Sequence, residues 1–218
     1  MGSEVCSNYE IPNRKALALL DVETDQLNLE LKLHVYPGYH APIIMRGFDL
    51  DVGKFGLLPS WAKDFKFSSH TYNARTETVA EKPSFRHAWK YSKFCLVPVQ
   101  EFYEPKYIDG KAYWYTIKRE DNQPFTVAAI YDDAVIKDSK VRSFSMLTIN
   151  ADHHQFMKQF HAPTDEKRSI IVIPEKYRKD WLNADNEHAH EYFFELTDEY
   201  VTFSRDHSSE SVKQNDLF

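Results

Sequence analysis

The feature that most constrains the fold of this chain is a succession of short strand patterns separated by turn residues. Residues 94–99 form a continuous apolar run with the length of a buried strand, whereas residues 27–35 alternate apolar and polar side chains as a half-buried strand does. The Asp109-Gly110 pair predicts a hairpin turn. We expect further strands at residues 43–45, 48–58, 112–118, 125–131, 143–149 and 169–173.

Helical patterns are fewer than strand patterns. They cover residues 9–20, 151–160, 175–182 and 188–196, and residues 59–62 read as a turn into a helix. The chain carries no glycine-rich βαβ fingerprint of the kind that binds dinucleotides. Because strands outnumber helices, the sequence predicts an α+β fold: a single domain with a curved, mostly antiparallel β-sheet and flanking helices.

Length, charge and hydropathy exclude several classes of protein. The 218 residues are enough for one sizeable domain, and the net charge of −6 argues against a protein that coats nucleic acid by bulk electrostatics. No apolar run is long enough to cross a bilayer, and the first residues lack the basic and apolar regions of a signal peptide. We therefore expect a cytoplasmic protein that does not bind membranes.

The two cysteines, Cys6 and Cys95, are too few for a disulfide framework or a zinc ribbon. We accordingly expect neither a metal nor a cofactor. Cys95 lies inside the apolar run and reads as a small core residue. Cys6 lies among polar residues and is a candidate reactive thiol.

The densest group of chemically active side chains is the run Asn73-Ala74-Arg75-Thr76-Glu77-Thr78. An amide, a guanidinium and a carboxylate fall within five residues, without an apolar period that would make them core. Such a group can hold an anionic ligand and orient a nucleophile. Each residue also has a structural alternative, since Asn73 can cap a turn and Arg75 can pair with Glu77 or another carboxylate.

Five blocks occur in a recognisable order, and the run that contains Asn73 is the second of them. The blocks are residues 55–62 (Phe-Gly-Leu-Leu-Pro-Ser-Trp-Ala), 72–78 (Tyr-Asn-Ala-Arg-Thr-Glu-Thr), 82–86 (Lys-Pro-Ser-Phe-Arg), 95–104 (from Cys-Leu-Val-Pro to Phe-Tyr-Glu), and 160–161 (Phe-His) followed by Arg168. Together with Cys6, this pattern resembles the SRAP (SOS response-associated peptidase) family over roughly residues 6–182.

The resemblance implies an SRAP-like fold and covalent capture of abasic sites in single-stranded DNA. In that chemistry a cysteine at the N-terminus condenses with the abasic-site aldehyde and closes a thiazolidine ring. An α-amino group suits the first step because it titrates near neutrality, so that a usable fraction is unprotonated. The implied partner is single-stranded DNA that contains abasic sites, bound by a monomer.

The resemblance also implies roles for individual residues. Cys6 is the nucleophile, Asn73 holds the N-terminal residue and the sugar hydroxyls, Glu104 is the general acid and base, and His161 assists ring opening and proton transfer. Arg75 contacts a phosphate, and Trp61 packs at the edge of the strand or stacks on a base. The other implied DNA contacts are Pro42, Arg86 and Arg168.

Taken one at a time, these residues have alternative interpretations. Glu104 can be a solvated loop carboxylate between Tyr103 and Pro105, and His161 can be a structural or surface histidine. Trp61 can belong to the core. The order of the five blocks favours the functional interpretation of each.

The sequence departs from the family pattern at several points. The family begins Met-Cys, whereas five residues precede Cys6, and an internal cysteine has no free amine. We therefore expect a leader at residues 1–5, a domain at residues 6–203 and a polar tail at residues 204–218. Pro105 replaces a tryptophan, Gln100-Glu101 replaces Asp-Gly, and a longer loop follows His161.

Three other functions remain open on the sequence alone. Cys6, Glu104 and His161 suit a peptidase, whose expected action is a self-limited cleavage of the Val5–Cys6 bond. A binder of single strands without covalent chemistry would need none of the three. An unrelated hydrolase would need Cys6 and His161 within hydrogen-bond reach.

Overall fold

The computed structural model describes residues 7–23 and 31–205, and these residues form two β-sheets with short helical segments between the strands. The strands are β1 (Tyr9–Glu10), β2 (His34–Val35), β3 (His40–Ile44), β4 (Leu50–Phe55), β5 (Asn73–Arg75), β6 (Phe94–Val99), β7 (Glu101–Ile108), β8 (Lys111–Arg119), β9 (Phe125–Ile136), β10 (Ser139–Asn150), β11 (Arg168–Ile170), β12 (Val172–Ile173) and β13 (Tyr200–Ser204).

The α-helices are short, and most of the remaining helical segments are single 3₁₀ turns. The α-helices are α1 (Arg14–Leu17), α2 (Arg86–Lys90) and α3 (Arg178–Asn183). The 3₁₀ segments are Ala18–Leu20, Arg46–Phe48, Phe65–Ser69, Met157–Gln159, Glu175–Tyr177 and Ala189–Tyr192. Within the described ranges, no helix has the length and apolar character needed to cross a membrane.

The larger sheet is strongly curved because it closes on itself. Its order is β11-β10-β4-β3-β6-β9-β12, and β9 also pairs directly with β10, so that β10, β4, β3, β6 and β9 form a barrel-like ring. The smaller sheet has the order β13-β8-β7-β1-β2. Every pairing is antiparallel except those of β10 with β4 and with β5. The predicted α+β fold with a curved, mostly antiparallel sheet is therefore confirmed.

Two hairpins organise the sheets, and each turns where the backbone has positive φ. Asp109 and Gly110, with φ of 50° and 75°, join β7 to β8, as the sequence predicted. Lys137 and Asp138, with φ of 49° and 63°, join β9 to β10. Positive φ at both central residues is the geometry of the tight turn that matches the twist of paired strands.

Buried side chains form large clusters on both faces of the curved sheet, and the cluster that contains Phe55 and Phe144 is rich in aromatic rings. Phe55 stacks on Phe144 with ring centroids 5.3 Å apart, and Tyr9 meets the edge of Phe55 at 5.3 Å. Gly56 follows β4 at φ 107°, and a Cβ there would lie 2.0 Å from the backbone oxygen of Ser68. Only glycine permits this close approach, which folds the segment between β4 and β5 against the barrel.

Several sequence predictions of local structure need correction. Residues 151–160 do not form a helix, because Nδ1 of His154 accepts the backbone N–H groups of Phe156 and Met157 and leaves only the 3₁₀ turn Met157–Gln159. Residues 9–20 begin with β1, and their helix starts only at Arg14, capped by Asn13. The predicted strand at residues 27–35 falls partly outside the described residues, and its described end is β2.

Candidate active site

The centre of the candidate site is a buried pair formed by Glu104 and His161. Glu104 lies on β7 and is 0% exposed, and His161 is 4% exposed. Nε2 of His161 lies 3.0 Å from Oε2 of Glu104. A carboxylate and an imidazole that are hydrogen-bonded and buried can together transfer a proton to or from a reacting atom.

The backbone holds His161 firmly against β7. Its N–H donates to the carbonyl of Pro105 at 2.7 Å, and it forms an isolated parallel bridge with Lys106. Its φ of 66° lies in the left-handed region, which histidine adopts more readily than most residues but still at some cost. This strained placement aims the ring at Glu104.

The second ring nitrogen of His161 is also informative. Nδ1 is buried, and no described residue accepts from it or donates to it. Buried polar atoms are nearly always hydrogen-bonded, and this nitrogen keeps the capacity for one further hydrogen bond.

Asn73 and Arg75 lie together on β5, which pairs with β10 in parallel. Successive side chains of a strand alternate between its two faces, so Asn73 and Arg75 share one face and Ala74 packs into the core on the other. The Arg75 side chain is exposed, and its Nη1 lies 2.5 Å from Oε2 of Glu166. The strand thus presents an amide and a guanidinium side by side.

Arg168 has different surroundings from those of a phosphate-binding residue. It is 1% exposed, and its terminal nitrogens donate to both carboxylate oxygens of Glu77 at 2.8 and 2.9 Å. They also donate to Glu166 at 3.0 Å and to the carbonyl of Thr148 at 2.7 Å. Arg168 therefore serves in the structure as a buried anchor beneath Arg75, and we do not retain it as a DNA contact.

Arg168 also sets the charge of the two carboxylates above it. Partial burial alone would raise the pKa of Glu77, but the hydrogen bonds from Arg168 hold that pKa below its usual value. Burial opposes the shift at Glu166 as well, and hydrogen bonds from Asn150 and Arg168 lower its pKa. Both side chains therefore stay ionised, and Glu166 holds Arg75 in place.

The segment from His161 to Arg168 joins the two clusters. It begins at the buried histidine and ends at the buried arginine, with Glu166 on Arg75. Nζ of Lys167 donates to the carbonyl oxygens of His161 at 3.2 Å and of Ala162 at 2.6 Å, which closes the segment into a compact loop. The Glu104–His161 pair and the Asn73–Arg75 strand are therefore both contacted by one short piece of chain, residues 161–168.

The remaining predicted DNA contacts differ in exposure. Trp61 is 50% exposed and meets Phe67 edge-on at 5.0 Å, so it is not a core residue. Arg86 is exposed at the start of α2 and lines a cleft with His87, Lys90 and Tyr91. Pro42 is buried on β3 opposite Val52, which leaves no face for a base, so that assignment is not retained either.

Nearly the whole chain matches the profile of one protein family. The family profile described as SOS response associated peptidase (SRAP) matches residues 5–214. The chain belongs to the SRAP family. The resemblance inferred from five blocks of sequence is therefore confirmed, and it extends further toward the C-terminus than the blocks do.

Two bacterial relatives of this SRAP protein are named as abasic site processing proteins. It is 35% identical to the abasic site processing protein YoaM of Bacillus subtilis (strain 168) over 150 residues, which are 66% of this chain and 62% of YoaM. It is 33% identical to the abasic site processing protein YoqW of the same organism over 175 residues, which are 74% of this chain and 75% of YoqW. The match thus spans less than two thirds of the length of YoaM.

Solved structures agree on the fold of this SRAP protein. A crystal structure of a protein from Bordetella bronchiseptica superposes with a TM-score of 0.86 at 26% identity and covers 92% of this chain and 100% of that chain. A protein from Bacteroides thetaiotaomicron gives a TM-score of 0.76 at 24% identity, covering 93% of each chain.

Cys6 and the predicted leader at residues 1–5 lie outside the described residues, as does the predicted tail beyond residue 205. The hydrolase alternative, which needs Cys6 beside His161, therefore stays a sequence hypothesis. Within the described part of the chain, no group of three or more His, Cys, Asp or Glu side chains is arranged to hold a metal ion.

Sequence reasoning missed the supporting residues of the site. Glu166 and Lys167 belong to the charged run Asp165-Glu166-Lys167-Arg168, which reads as a solvated loop. The available signal was the closeness of this run to His161 in the sequence. A charged run so near a candidate catalytic histidine can fold back and contact the same site. The pairing of Arg168 with Glu77 has no signal in the spacing of the sequence.

Proposed function

We propose that this SRAP protein recognises abasic sites in DNA and captures them covalently in single strands, as part of the response to DNA damage. The observation that carries the proposal is the buried Glu104–His161 pair, held by one loop beside the strand that presents Asn73 and Arg75. The names of YoaM and YoqW support the choice of abasic sites as substrate.

Recognition of the strand begins at Arg75. Its guanidinium is exposed and held by Glu166, so an incoming phosphate exchanges one anionic partner for another at a preformed position. Trp61 offers an exposed indole face on which a base can stack, and an unpaired base is the one whose face is available. These two contacts favour a single strand over a duplex.

The first chemical step is condensation of an amine with the abasic-site aldehyde. The unprotonated α-amino group of Cys6 attacks C1′ of the ring-opened sugar and forms a carbinolamine. Loss of the hydroxyl as water, with a proton supplied through Glu104, leaves a C=N bond. His161 moves the proton that opens the sugar ring, and Asn73 holds the amine and the sugar hydroxyls.

The second step closes the ring. The Cys6 sulfur adds to the carbon of the C=N bond, and the thiol proton ends on the nitrogen. A five-membered thiazolidine results, with one water released overall and no oxidant or reductant consumed. The ring converts an imine that water would cleave into a stable link between protein and DNA.

Cys6 needs a free amine before any of this happens. We propose that residues 1–5 form a leader removed by hydrolysis of the Val5–Cys6 bond, which consumes one water that Glu104 activates as a base. Residues 6–203 then make up the working domain, residues 204–218 a polar tail, and the protein acts as a monomer.

The decisive experiment mixes protein that begins at Cys6 with a single-stranded oligonucleotide carrying one abasic site. After denaturation, a gel should show a covalent band that is absent with the undamaged oligonucleotide and with Cys6→Ser. The matched control is the 218-residue chain, which should crosslink only to the extent that it loses its leader. Salt-dependent binding without a covalent band from the Cys6-initiated protein would select the non-covalent binder instead.

A separate measurement tests removal of the leader. Intact mass after long incubation should show loss of residues 1–5 in the wild-type chain and retention of full length in Glu104→Gln. Persistent full length in both would place the cleavage outside this protein and leave the crosslinking proposal standing on its own gel. Turnover of an added, unrelated peptide would show a general peptidase.

A further inference from the structure

A second cleft contains none of the candidate-site residues. It has a volume of about 640 Å³ and lies where β12, the start of α3 and the chain before β13 meet. Its walls combine apolar residues, among them Phe125, Val172 and Tyr200, with polar and charged side chains. Clefts of this size are typical of sites for small molecules.

Arg178 is the unusual residue of this cleft. It is the first residue of α3, is 6% exposed and lines the cleft wall. Nε donates to Oγ1 of Thr126 at 3.3 Å, but Nη1 is buried and no described residue accepts a hydrogen bond from it. Burial lowers the pKa of the guanidinium, because desolvation disfavours its charge. A buried cation of this kind is costly to the fold unless something binds to it.

A second arginine of the same cleft, Arg119, has carboxylate partners for its charge. Arg119 donates to both carboxylate oxygens of Asp121 at 2.9 and 2.6 Å and pairs with Glu199 at 3.1 Å. Among the described residues, no carboxylate lies within ion-pair distance of Arg178. The two arginines therefore differ: Arg119 forms ion pairs with two carboxylates, whereas the described carboxylates that act on Arg178, Glu175 and Asp21, do so from beyond ion-pair distance.

The carboxylates near Arg178 limit how much negative charge a ligand of this cleft can carry. The charges of Glu175 and Asp21 act on Arg178, and Glu175 and Glu195 line the cleft. A dianion such as a phosphate monoester would be repelled by these groups. A planar monoanion that accepts two N–H groups suits a single guanidinium better.

We propose that this cleft binds a small carboxylate, whose anionic group accepts hydrogen bonds from Arg178 and whose apolar body lies against Phe125 and Tyr200. The site is independent of DNA capture, and nothing in its binding requires the Glu104–His161 pair.

The test uses the full chain with phenylacetate, a carboxylate on a flat apolar body, and the neutral isostere phenylacetamide. Calorimetry should detect phenylacetate binding, and at ten times its Kd the Tm should rise by about 4 °C. Phenylacetamide should bind at least about tenfold more weakly, since it lacks the charge that Arg178 matches. Equal binding of the two, or tighter binding of inorganic phosphate, would overturn the proposal.

Two variants keep the test independent of folding. Arg178→Met preserves the packing of the long side chain and should lose phenylacetate binding by at least about tenfold, with Lys179→Met on the exposed neighbour as the matched control. Gln123→Trp changes an exposed residue at the cleft and should block entry with Arg178 in place. Unchanged affinity in both Arg178→Met and Gln123→Trp would exclude this cleft.

Discussion

Two of the histidine–carboxylate pairs in the molecule have nearly the same length but different surroundings. Nε2 of His161 lies 3.0 Å from Glu104, and Nδ1 of His87 lies 2.9 Å from Asp132. Both carboxylates are fully buried. His161 is buried with its partner, whereas the His87 side chain is 41% exposed.

The His87–Asp132 pair connects two secondary-structure elements. Asp132 also accepts Nζ of Lys93 at 2.5 Å and the backbone N–H of Asp133 at 2.9 Å, so fixed donors surround its charge. His87 lies on α2 and Asp132 on β9, so the pair fastens a helix to the barrel. The first pair instead meets where a strained loop residue is pressed against β7. Distance alone therefore does not distinguish the two pairs, whereas the burial of the histidine and the other partners of the carboxylate do.

The largest effect should come from Glu104→Gln. The amide cannot supply or take the proton, so the crosslinking rate of protein that begins at Cys6 should fall about 10³-fold. Gel-based rate measurements on abasic single-stranded DNA check this. The isosteric change should leave DNA affinity within about threefold, which separates lost chemistry from lost binding.

The matched variant in the other pair is Asp132→Asn. It should cost about 3 kcal/mol of the free energy of unfolding, because Lys93 and His87 lose a buried anion. Its crosslinking rate should stay within about twofold of wild type. Urea unfolding gives the first quantity and the same gel gives the second. A rate loss as large as that of Glu104→Gln would erase the distinction between the pairs.

His161→Gln should lower the crosslinking rate about 10²-fold, because the amide keeps a hydrogen bond to Glu104 but cannot shuttle a proton. His87→Gln is the control, and it should leave the crosslinking rate unchanged while costing about 1 kcal/mol of stability. A rate loss in His87→Gln as large as that in His161→Gln would contradict the distinction between the two pairs.

The strands of this fold were predictable because their information is local. Residues 94–99 form an unbroken apolar run, and the structure has a buried strand with those bounds. The long hairpin of β9 and β10 was found only in part, since its exposed ends read as polar loop. The helix expected at residues 151–160 failed because His154 offers its ring nitrogen to two backbone N–H groups, a competition that apolar spacing does not encode.

The site was predictable to a different degree. Asn73, Glu104 and His161 were chosen from the order of the five blocks along the chain, and the structure places Glu104 and His161 in contact. The burial of Arg168 was not predictable, because it depends on Glu77, which lies 91 residues away in sequence. The burial of Pro42 was not predictable either, because it depends on the pairing of β3 with a neighbouring strand.

Arg75→Gln should raise the Kd for single-stranded DNA about tenfold at low salt, through loss of one phosphate contact. The slope of log Kobs against log salt should fall in magnitude by about 0.7. Lys179→Gln, which removes an exposed positive charge outside the site, should change neither by more than a small fraction. Equal effects of both variants would mean that binding follows net charge rather than the strand that carries Asn73.

The smallest expected effect concerns Glu77, an exposed carboxylate held by a buried cation, which inverts the arrangement at Asp132. Its pKa is below the usual value in the folded protein, so its contribution to stability is complete above the unfolded value of about 4.3 and is lost as the pH falls through the folded pKa. Because the carboxylate is half-exposed, solvent screening limits this contribution to less than about 1 kcal/mol. Urea unfolding between pH 5 and pH 3 (a range of about two units around that value) should show a shallower loss of stability in Glu77→Gln than in wild type. If the two slopes agree, Glu166 alone keeps Arg168 neutralised, and the ionisation of Glu77 contributes nothing to holding Arg75 in place.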